Sequence, residues 1–398
     1  MKNDAPPRIA VVGGGLAGLT LALALHRAGL ECQVYEQASQ LGEVGAGVQL
    51  APSATRLLHR LGLEPALRSS AVEPMAMEFR RWADSSVISR GLLGAHCEQR
   101  YGAPYYALHR ADLHQVLVEA LPPGTVRLGA RCTGVQEGLD GAVLRFADGT
   151  EAAADVAVGA DGIHSVLRQA LVADRPRASG QSVYRGLVDG RRVPALVAEP
   201  RVLLWLGPGR HFVCYPVSGG RLVNFVATVP TAGATDESWS RRGRSEDVAA
   251  AYEGWCADVT SVIGAADKVS LWALHDRAPI ERWSTGRITL LGDSAHPMLP
   301  FLGQGANQAV EDAVALAGCL RDATSHTLPA ALERYESMRR PRTTQVQERS
   351  RGNSTAFHLP DGDEQRERDA RMGTPAPERQ DWLYAYDVER SLADHQPA

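Results

Sequence analysis

Lysine is almost absent from this chain of 398 residues. Of its 42 basic residues only Lys2 and Lys268 are lysines, and the other forty are arginines. That leaves hardly a candidate for any mechanism built on a lysine amine. Cysteine is sparse and unpatterned. Cys32, Cys97, Cys132, Cys214, Cys256 and Cys319 form no Cys-x-x-Cys and no Cys/His ligand spacing, so neither a metal site nor a disulfide framework is expected. Free thiols of a cytoplasmic protein are. The net charge is −4 and no basic block occurs, which argues against nucleic acid or an anionic membrane as partner. Long apolar runs are missing too. The most apolar early stretch, Leu16 to Leu25, stops at His26-Arg27, too short to cross a bilayer, and residues 1–8 carry no visible signal peptide. No internal repeats occur, and the length gives room for two domains with a large core.

The chain opens with Ile9-Ala10-Val11-Val12, an apolar strand, followed by Gly13-Gly14-Gly15-Leu16-Ala17-Gly18 and a helix to about Ala28. Gly13, Gly15 and Gly18 make the G-x-G-x-x-G of a dinucleotide-binding βαβ unit. The first glycine permits the turn, the second admits a pyrophosphate, and the third packs helix on strand. The next strand ends at Glu36, the right distance on to hold a ribose diol. Leu41 to Leu50 departs from helical period and carries Gly42, Gly45 and Gly47; its Gln49 is an amide able both to donate and to accept.

Residues 72–105 then change character, with short strands at Met75–Phe79 and Val87-Ile88 and a cluster of Tyr101, Tyr105 and Tyr106. Arg110 starts a helix. Val126–Leu128, Gly134–Gln136 and Val143–Phe146 read as antiparallel strands between Asp-Gly turns, and Ala154–Val158 returns to the buried-strand pattern before Asp161-Gly162. Residues 180–280 alternate like a sheet. On one of its strands His211, Val213, Tyr215 and Val217 share a face by two-residue period. A His and a Tyr there suit either a polar ring substituent or a satisfied core pair. Arg185 suits either a substrate carboxylate or a domain interface.

Arg287 to Arg321 organises the rest. A strand at Ile288–Leu291 breaks at Gly292-Asp293, and a loop with Pro297, Pro300, Gly303 and Gly305 follows. Apolar residues from Ala309 to Leu320 then recur at helical spacing, which places Glu311 and Asp312 in the first turn. A second helix is expected over Leu328–Arg339, and Arg349 to Glu378 is charged and poor in apolar residues.

Read as written, GDSAHPMLPFLGQGANQAVEDA resembles the second flavin-contacting motif of the single-component FAD aromatic hydroxylases. These are the relatives of para-hydroxybenzoate hydroxylase, and the likeness is strongest to its salicylate and 6-hydroxynicotinate branch. The resemblance covers nearly the whole chain, with specific motifs at 9–36, 159–168 and 287–313. It implies an α/β fold: a Rossmann-like FAD-binding domain (residues 1–71, 106–178 and 281–340) with an inserted α+β substrate domain on a mostly antiparallel sheet (72–105 and 179–280). A tail at 341–398 packs on the body.

The resemblance further implies non-covalent FAD at Gly13, Gly15, Leu16, Ala17, Gly18, Glu36, Gln37, Arg110, Asp161, Asp293, Gly303, Gly305, Ala306 and Asn307. Asp293 would hold the ribityl chain. The Pro297 loop and the Gly303–Asn307 turn would lie against the flavin ring. His211, Tyr215, Gln49, Gln304 and Pro297 form the implied catalytic set, with His211 as candidate base near pKa ~6.5 and Tyr215 and Gln304 orienting. In such enzymes NADH or NADPH binds transiently, O2 adds at flavin C4a, and the distal peroxide oxygen passes to the activated ring. The implied partner is a small aromatic substrate, acted on by a monomer or homodimer. A flavin halogenase would need a tunnel lysine and a W-x-W-x-I-P segment, and this chain has neither. A hydroxylase of larger polyketide or tetracycline-like phenols and a non-catalytic flavin sensor or scaffold are the alternatives.

Overall fold

The computed structural model describes residues 6–42, 46–231, 241–374 and 378–394. A parallel sheet of five strands runs in the order Ile288–Leu290, Val156–Gly159, Ile9–Val12, Cys32–Tyr35, Val126–Arg127. Ile9–Val12 and Val156–Gly159 are buried at every position, as central strands covered on both faces must be. This order makes neighbours of the strands that lead into the four motif loops. The motifs at Gly13, Glu36, Asp161 and Asp293 therefore converge at one edge, outside the carboxyl ends of the strands, where such sheets bind ligands.

Val126–Arg127 departs from expectation. It extends the parallel sheet by pairing with Cys32–Tyr35, and the three-stranded antiparallel sheet consists of Cys132–Gly138, Gly141–Phe146 and Glu151–Ala154. Gln33 explains the capture, since its Nε2 donates to the carbonyls of Gly124 (3.2 Å) and Thr125 (2.8 Å). Such a partner, ninety residues away, leaves no mark on local periodicity.

A second sheet has eight strands, ordered Arg241–Gly243, Val269–Asp276, Arg177–Asp189, Leu222–Pro230, Arg210–Val217, Arg201–Gly207, Ala76–Arg81, Val87–Leu92. All neighbours are antiparallel except Arg201–Gly207 against Ala76–Arg81, so strands from both interrupting stretches join one sheet. One face packs Trp205, Phe212, Cys214 and Phe225 against the helices Ser245–Ala251 and Ala257–Gly264. The other carries Val213, Tyr215 and Val217 and turns toward Leu299, Phe301 and the dinucleotide body.

The helix after the organising loop spans Gly305–Leu320, so Glu311 and Asp312 lie in its second turn, not its first. Both are fully buried, and what holds them is charge pairing. Arg339 reaches Glu311 at 2.8 Å and Asp312 at 2.7 Å, and Arg342 reaches Glu311 at 2.7 Å. These arginines belong to one helix that runs from Leu328 to Ala356, past the expected end at Arg339 and through position 341. Pro341 removes one helical N–H, but Arg339 and Arg342 on either side are tied to the neighbouring helix. Residues 363–373 form a further helix, where the sequence suggested only a charged stretch. Among the described residues no helix is long and apolar enough to cross a membrane.

Candidate active site

Gly13 leaves its strand with φ +110°, and a Cβ there would stand 2.3 Å from the Ala160 carbonyl oxygen. A Cβ at Gly18 would meet the Gly13 carbonyl oxygen at 2.0 Å, so strand and helix close on each other through these two positions. Gly15 is different: a Cβ there meets nothing within 4 Å. The N-terminus of the helix Leu16–Arg27 is thus open to an approaching anion. Glu36 is clasped in place, one oxygen accepting from Gly14 N–H (2.7 Å) and the other from Ala38 N–H (2.8 Å). Each oxygen keeps a lone pair for a hydroxyl. Gln37 is exposed beside it, and Leu16 is buried. Ala17 Cβ lies 3.1 Å from where a Gly292 Cβ would stand, which brings the first and last motifs into contact.

The two aspartates of the later motifs behave differently. Asp161 accepts from Val166 N–H (2.7 Å) and from the Ser294 hydroxyl (3.2 Å), so its carboxylate ties the Asp-Gly turn to the last motif. Burial nonetheless pushes its carboxyl up from the usual range, against those hydrogen bonds. Arg168, fully buried, strengthens the tie by donating to the carbonyls of Ser294 (3.0 Å) and Ala295 (2.7 Å). Asp293, by contrast, has no hydrogen-bond or ion-pair partner among the described residues. Its side chain opens into the cleft, with Oδ1 3.8 Å from the Cβ position of Gly305. The surrounding walls push its carboxyl up, and His296 and Arg110 nearby oppose that shift. Arg110 itself is exposed.

The loop between Asp293 and the helix Gly305–Leu320 is fixed from behind by the long helix Leu328–Ala356. Gln347 donates to the carbonyl of buried Pro297 (2.9 Å), Ser350 to that of Leu299 (2.5 Å) and Asn353 to that of Phe301 (2.9 Å). Gly303 turns with φ +63°. Asn307 is spent on the protein, accepting from Ala51 N–H (2.7 Å) and donating to the carbonyls of Gln49 (3.0 Å) and Gly303 (2.9 Å). It pins the Gln49 strand to the loop. Gln304 is buried, and its Oε1 has no hydrogen-bond partner among the described residues.

Facing this loop is the sheet, and the strand register places its side chains in three rows. Tyr215 stands beside Asn224 and Leu187; Val213 beside Val226, Arg185 and Ser270; and His211 beside Thr228, Val183 and Trp272. Tyr215 is bound to Gln49, and burial pushes its phenol up to about 12. Tyr105 donates to Gln49 Oε1 at 2.6 Å. Gly47 N–H donates to Asn224 Oδ1 (2.7 Å), and Asn224 Nδ2 is buried with no partner among the described residues. A Cβ at Gly47 would stand 2.6 Å from the Tyr215 hydroxyl, so only glycine leaves this corner free. His211 is buried between Phe301 and Phe357, with Nδ1 2.8 Å from His358 Nε2. Burial, and then His358, holds its pKa well below the usual value.

Residues 7–350 match the family described as an FAD binding domain. A 3-amino-4-hydroxybenzoate 2-monooxygenase of Streptomyces platensis is 54% identical over 385 residues, which cover 96% of each chain. The chain belongs to this family of FAD-dependent aromatic hydroxylases. A 6-hydroxynicotinate 3-monooxygenase of Pseudomonas fluorescens is 35% identical, with 87% of this chain and 91% of that one covered. Among solved structures, a salicylate hydroxylase substrate complex superposes with a TM-score of 0.84 at 30% identity, covering both chains in full.

The hydroxylase's cofactor is FAD, and the residues present fit it. The open helix N-terminus at Gly15 and the fixed Glu36 carboxylate suit a diphosphate and a ribose. The unpartnered Asp293 carboxylate and Gln304 oxygen suit further hydroxyl or N–H groups. Gly13, Gly15, Gly18, Glu36, Asp161, Asp293, Gly303, Gly305, Ala306 and Asn307 come together at one edge of the sheet. Gln49, Tyr215 and His211 lie across the loop from them. Gly45 lies outside the described residues. The sequence reading did not single out Asn224 or the site role of Gly47. A polar residue within the apolar run Val223–Val229 was the available signal for the first. The second depends on a contact with Tyr215, 168 positions away, and carries no local signal.

Proposed function

We propose that this enzyme hydroxylates a small phenolic aromatic acid, of the amino-hydroxybenzoate, hydroxynicotinate or salicylate kind, using NADH or NADPH and O2. The observation that carries this reading is the sheet face opposite the flavin loop. Strands lie about 4.8 Å apart and rise about 3.4 Å per residue, so Arg185 stands about 12 Å from both Tyr215 and His211, backbone to backbone. With side chains extending inward, that span suits one substituted ring over Val213 and Val226. The relatives that share 35% to 54% identity carry names for such ring substrates, and that supports the same reading.

Bound FAD supplies hydride acceptance and oxygen activation. The free N–H groups in the first turn of Gly305–Leu320 stabilise negative charge placed against them. Met298, Leu299, Phe301 and Leu302 keep water from the ring. Tyr215, fixed through Gln49 to Tyr105, orients the ring hydroxyl. Burial holds His211 well below its usual pKa, so it is neutral at neutral pH. It polarises the ring hydroxyl as a hydrogen-bond partner instead of acting as the strong base expected near pKa ~6.5, while its Nδ1 lies 2.8 Å from His358 Nε2. The enzyme acts in the cytoplasm as a monomer or homodimer, a placement supported by its six free thiols.

The test is a screen of aromatic acids for stimulated NADH and NADPH oxidation, with product mass recorded. The expected result is acceleration by at least one phenolic acid and a product that has gained one oxygen atom on the ring, with its carboxylate either retained or released as CO2. Bound FAD with no acceleration by any aromatic acid that binds would favour the sensor or scaffold instead.

A further inference from the structure

Arg185 lies on the strand Arg177–Asp189, half-buried, with its guanidinium 4.8 Å from the centre of the Trp272 ring. Among the described residues it has no acidic partner, and its Nε has no hydrogen-bond partner. This sets it apart from other enclosed arginines of the chain. Arg168 and Arg277 share Asp174, and Arg339 and Arg342 share Glu311. An enclosed cation without a counter-ion is costly, and the cost shows here: burial, and then the nearby charge of Arg110, lower the guanidinium to about 10. Tyr215 is close enough to act on it in the opposite sense. The cation–π contact with Trp272 holds the guanidinium from one side, and among the described residues no hydrogen-bond acceptor takes up its N–H groups, which can pair with a carboxylate through two parallel hydrogen bonds.

We propose that Arg185 receives the carboxylate of the aromatic substrate, an inference that rests on the function proposed above and names the group that selects an acid. The carboxylate supplies a counter-ion that the described residues do not, and Asn224 Nδ2, likewise without a partner among them, lies one row away toward Tyr215 as a further buried donor. With the acid end at Arg185, the ring crosses Val226 and Val213. Its hydroxyl then reaches the row of Tyr215 or that of His211, at the loop.

The holoenzyme tests this with two ligands, 3-amino-4-hydroxybenzoate and 2-aminophenol, the same ring without its carboxylate. Binding is followed by perturbation of flavin absorbance in the wild type, in Arg185→Gln and in Arg185→Met, whose side chain keeps the packing on Trp272. Loss of a charge-assisted hydrogen bond predicts a roughly ten- to hundredfold weaker affinity for the acid in the variants. Affinity for 2-aminophenol and FAD content should stay within about twofold. A wild type that prefers the acid, with variants that keep that preference, overturns the assignment of Arg185 and leaves the proposed function standing. A wild type that binds both rings equally overturns the inference and leaves the proposed function to the screen. If neither binds, the same comparison is made with salicylate against phenol and 6-hydroxynicotinate against 2-hydroxypyridine, and no preference for an acid in any pair overturns the inference. Variants purified without FAD would place Arg185 at the cofactor and overturn the inference. If the glutamine variant does not fold, the methionine variant decides.

Discussion

Asp161 and Asp293 follow neighbouring strands of one sheet, yet their carboxylates are used in opposite ways. Asp161 is consumed by Val166 and Ser294, whereas Asp293 faces the cleft with no protein donor among the described residues. Asp293→Ala should therefore leave the fold unchanged and weaken FAD by about ten- to hundredfold, the value of one hydrogen bond to a charged group. Titration of the apoprotein with FAD, followed by fluorescence, measures this; wild-type affinity would remove Asp293 from the flavin site. Gly47 makes the second residue-scale prediction. A Cβ there would overlap the Tyr215 hydroxyl and the Asn224 side chain, each at 2.6 Å. Gly47→Ala should cost about 1–3 kcal/mol of stability through overpacking. It should raise the KM for the aromatic acid more than it lowers FAD content, since the displaced groups belong to the sheet face.

At the scale of elements, the long helix Leu328–Ala356 acts as a splint for the loop that closes the site. Gln347, Ser350 and Asn353 recur every three residues, so one face of the helix takes up successive loop carbonyls. Its preceding turns lock onto Glu311 and Asp312 of the helix that begins at Gly305. Loop and helix N-terminus are thus held from one side by one rigid rod. Ser350→Ala and Asn353→Ala should each cost about 1 kcal/mol of stability, the net worth of a hydrogen bond. They should also raise the share of NAD(P)H oxidation that ends as H2O2, because a looser wall admits water. Peroxide release per NAD(P)H consumed checks this, and wild-type coupling in both variants would show that the loop holds its place unaided.

For the whole molecule, the buried titratable groups set how stability depends on pH. Burial holds His211 well below its usual value and His358 down to about 4. A histidine with a depressed folded pKa contributes stability that is fully present above the unfolded value of about 6.5 and is lost as pH falls toward the folded one. Despite burial, Glu311 and Asp174 are held low by their arginines and Asp312 by His296 and then Arg339, so their contribution fails only within and below the ordinary carboxylate range. Asp161 and Asp293 are raised and carry the opposite sign. Between pH 7 and 5 the two histidines, together with His59, which burial also lowers, should therefore set the slope, at most about 1.4 kcal/mol per pH unit for each. Urea midpoints of the FAD-saturated enzyme should fall over that interval. The double variant His211→Gln/His358→Gln should show a flatter profile, and an equally steep one would assign the slope elsewhere.

The sequence by itself determined the chemistry of the nucleotide edge. A glycine needing φ +110° at Gly13, an acid closing a strand at Glu36 and the run from Gly292 to Asn307 are local requirements of backbone and ligand, and local requirements are written in adjacent residues. The two-residue period of His211 to Val217 likewise foretold which face Tyr215 occupies, because a strand alternates whatever it packs against. Tertiary structure decided the rest. Val126–Arg127 went to the parallel sheet because an edge was vacant there, and the long helix continued past Pro341 because buried acids on another helix claimed the arginines around it. It also decided which polar groups remain free. Asn307 and Asp161 were drawn into protein contacts, while Asp293 and Arg185 were left without an ionic partner among the described residues. A side chain's type states what it can bind, but whether it is still free to do so depends on neighbours that only the folded chain brings near.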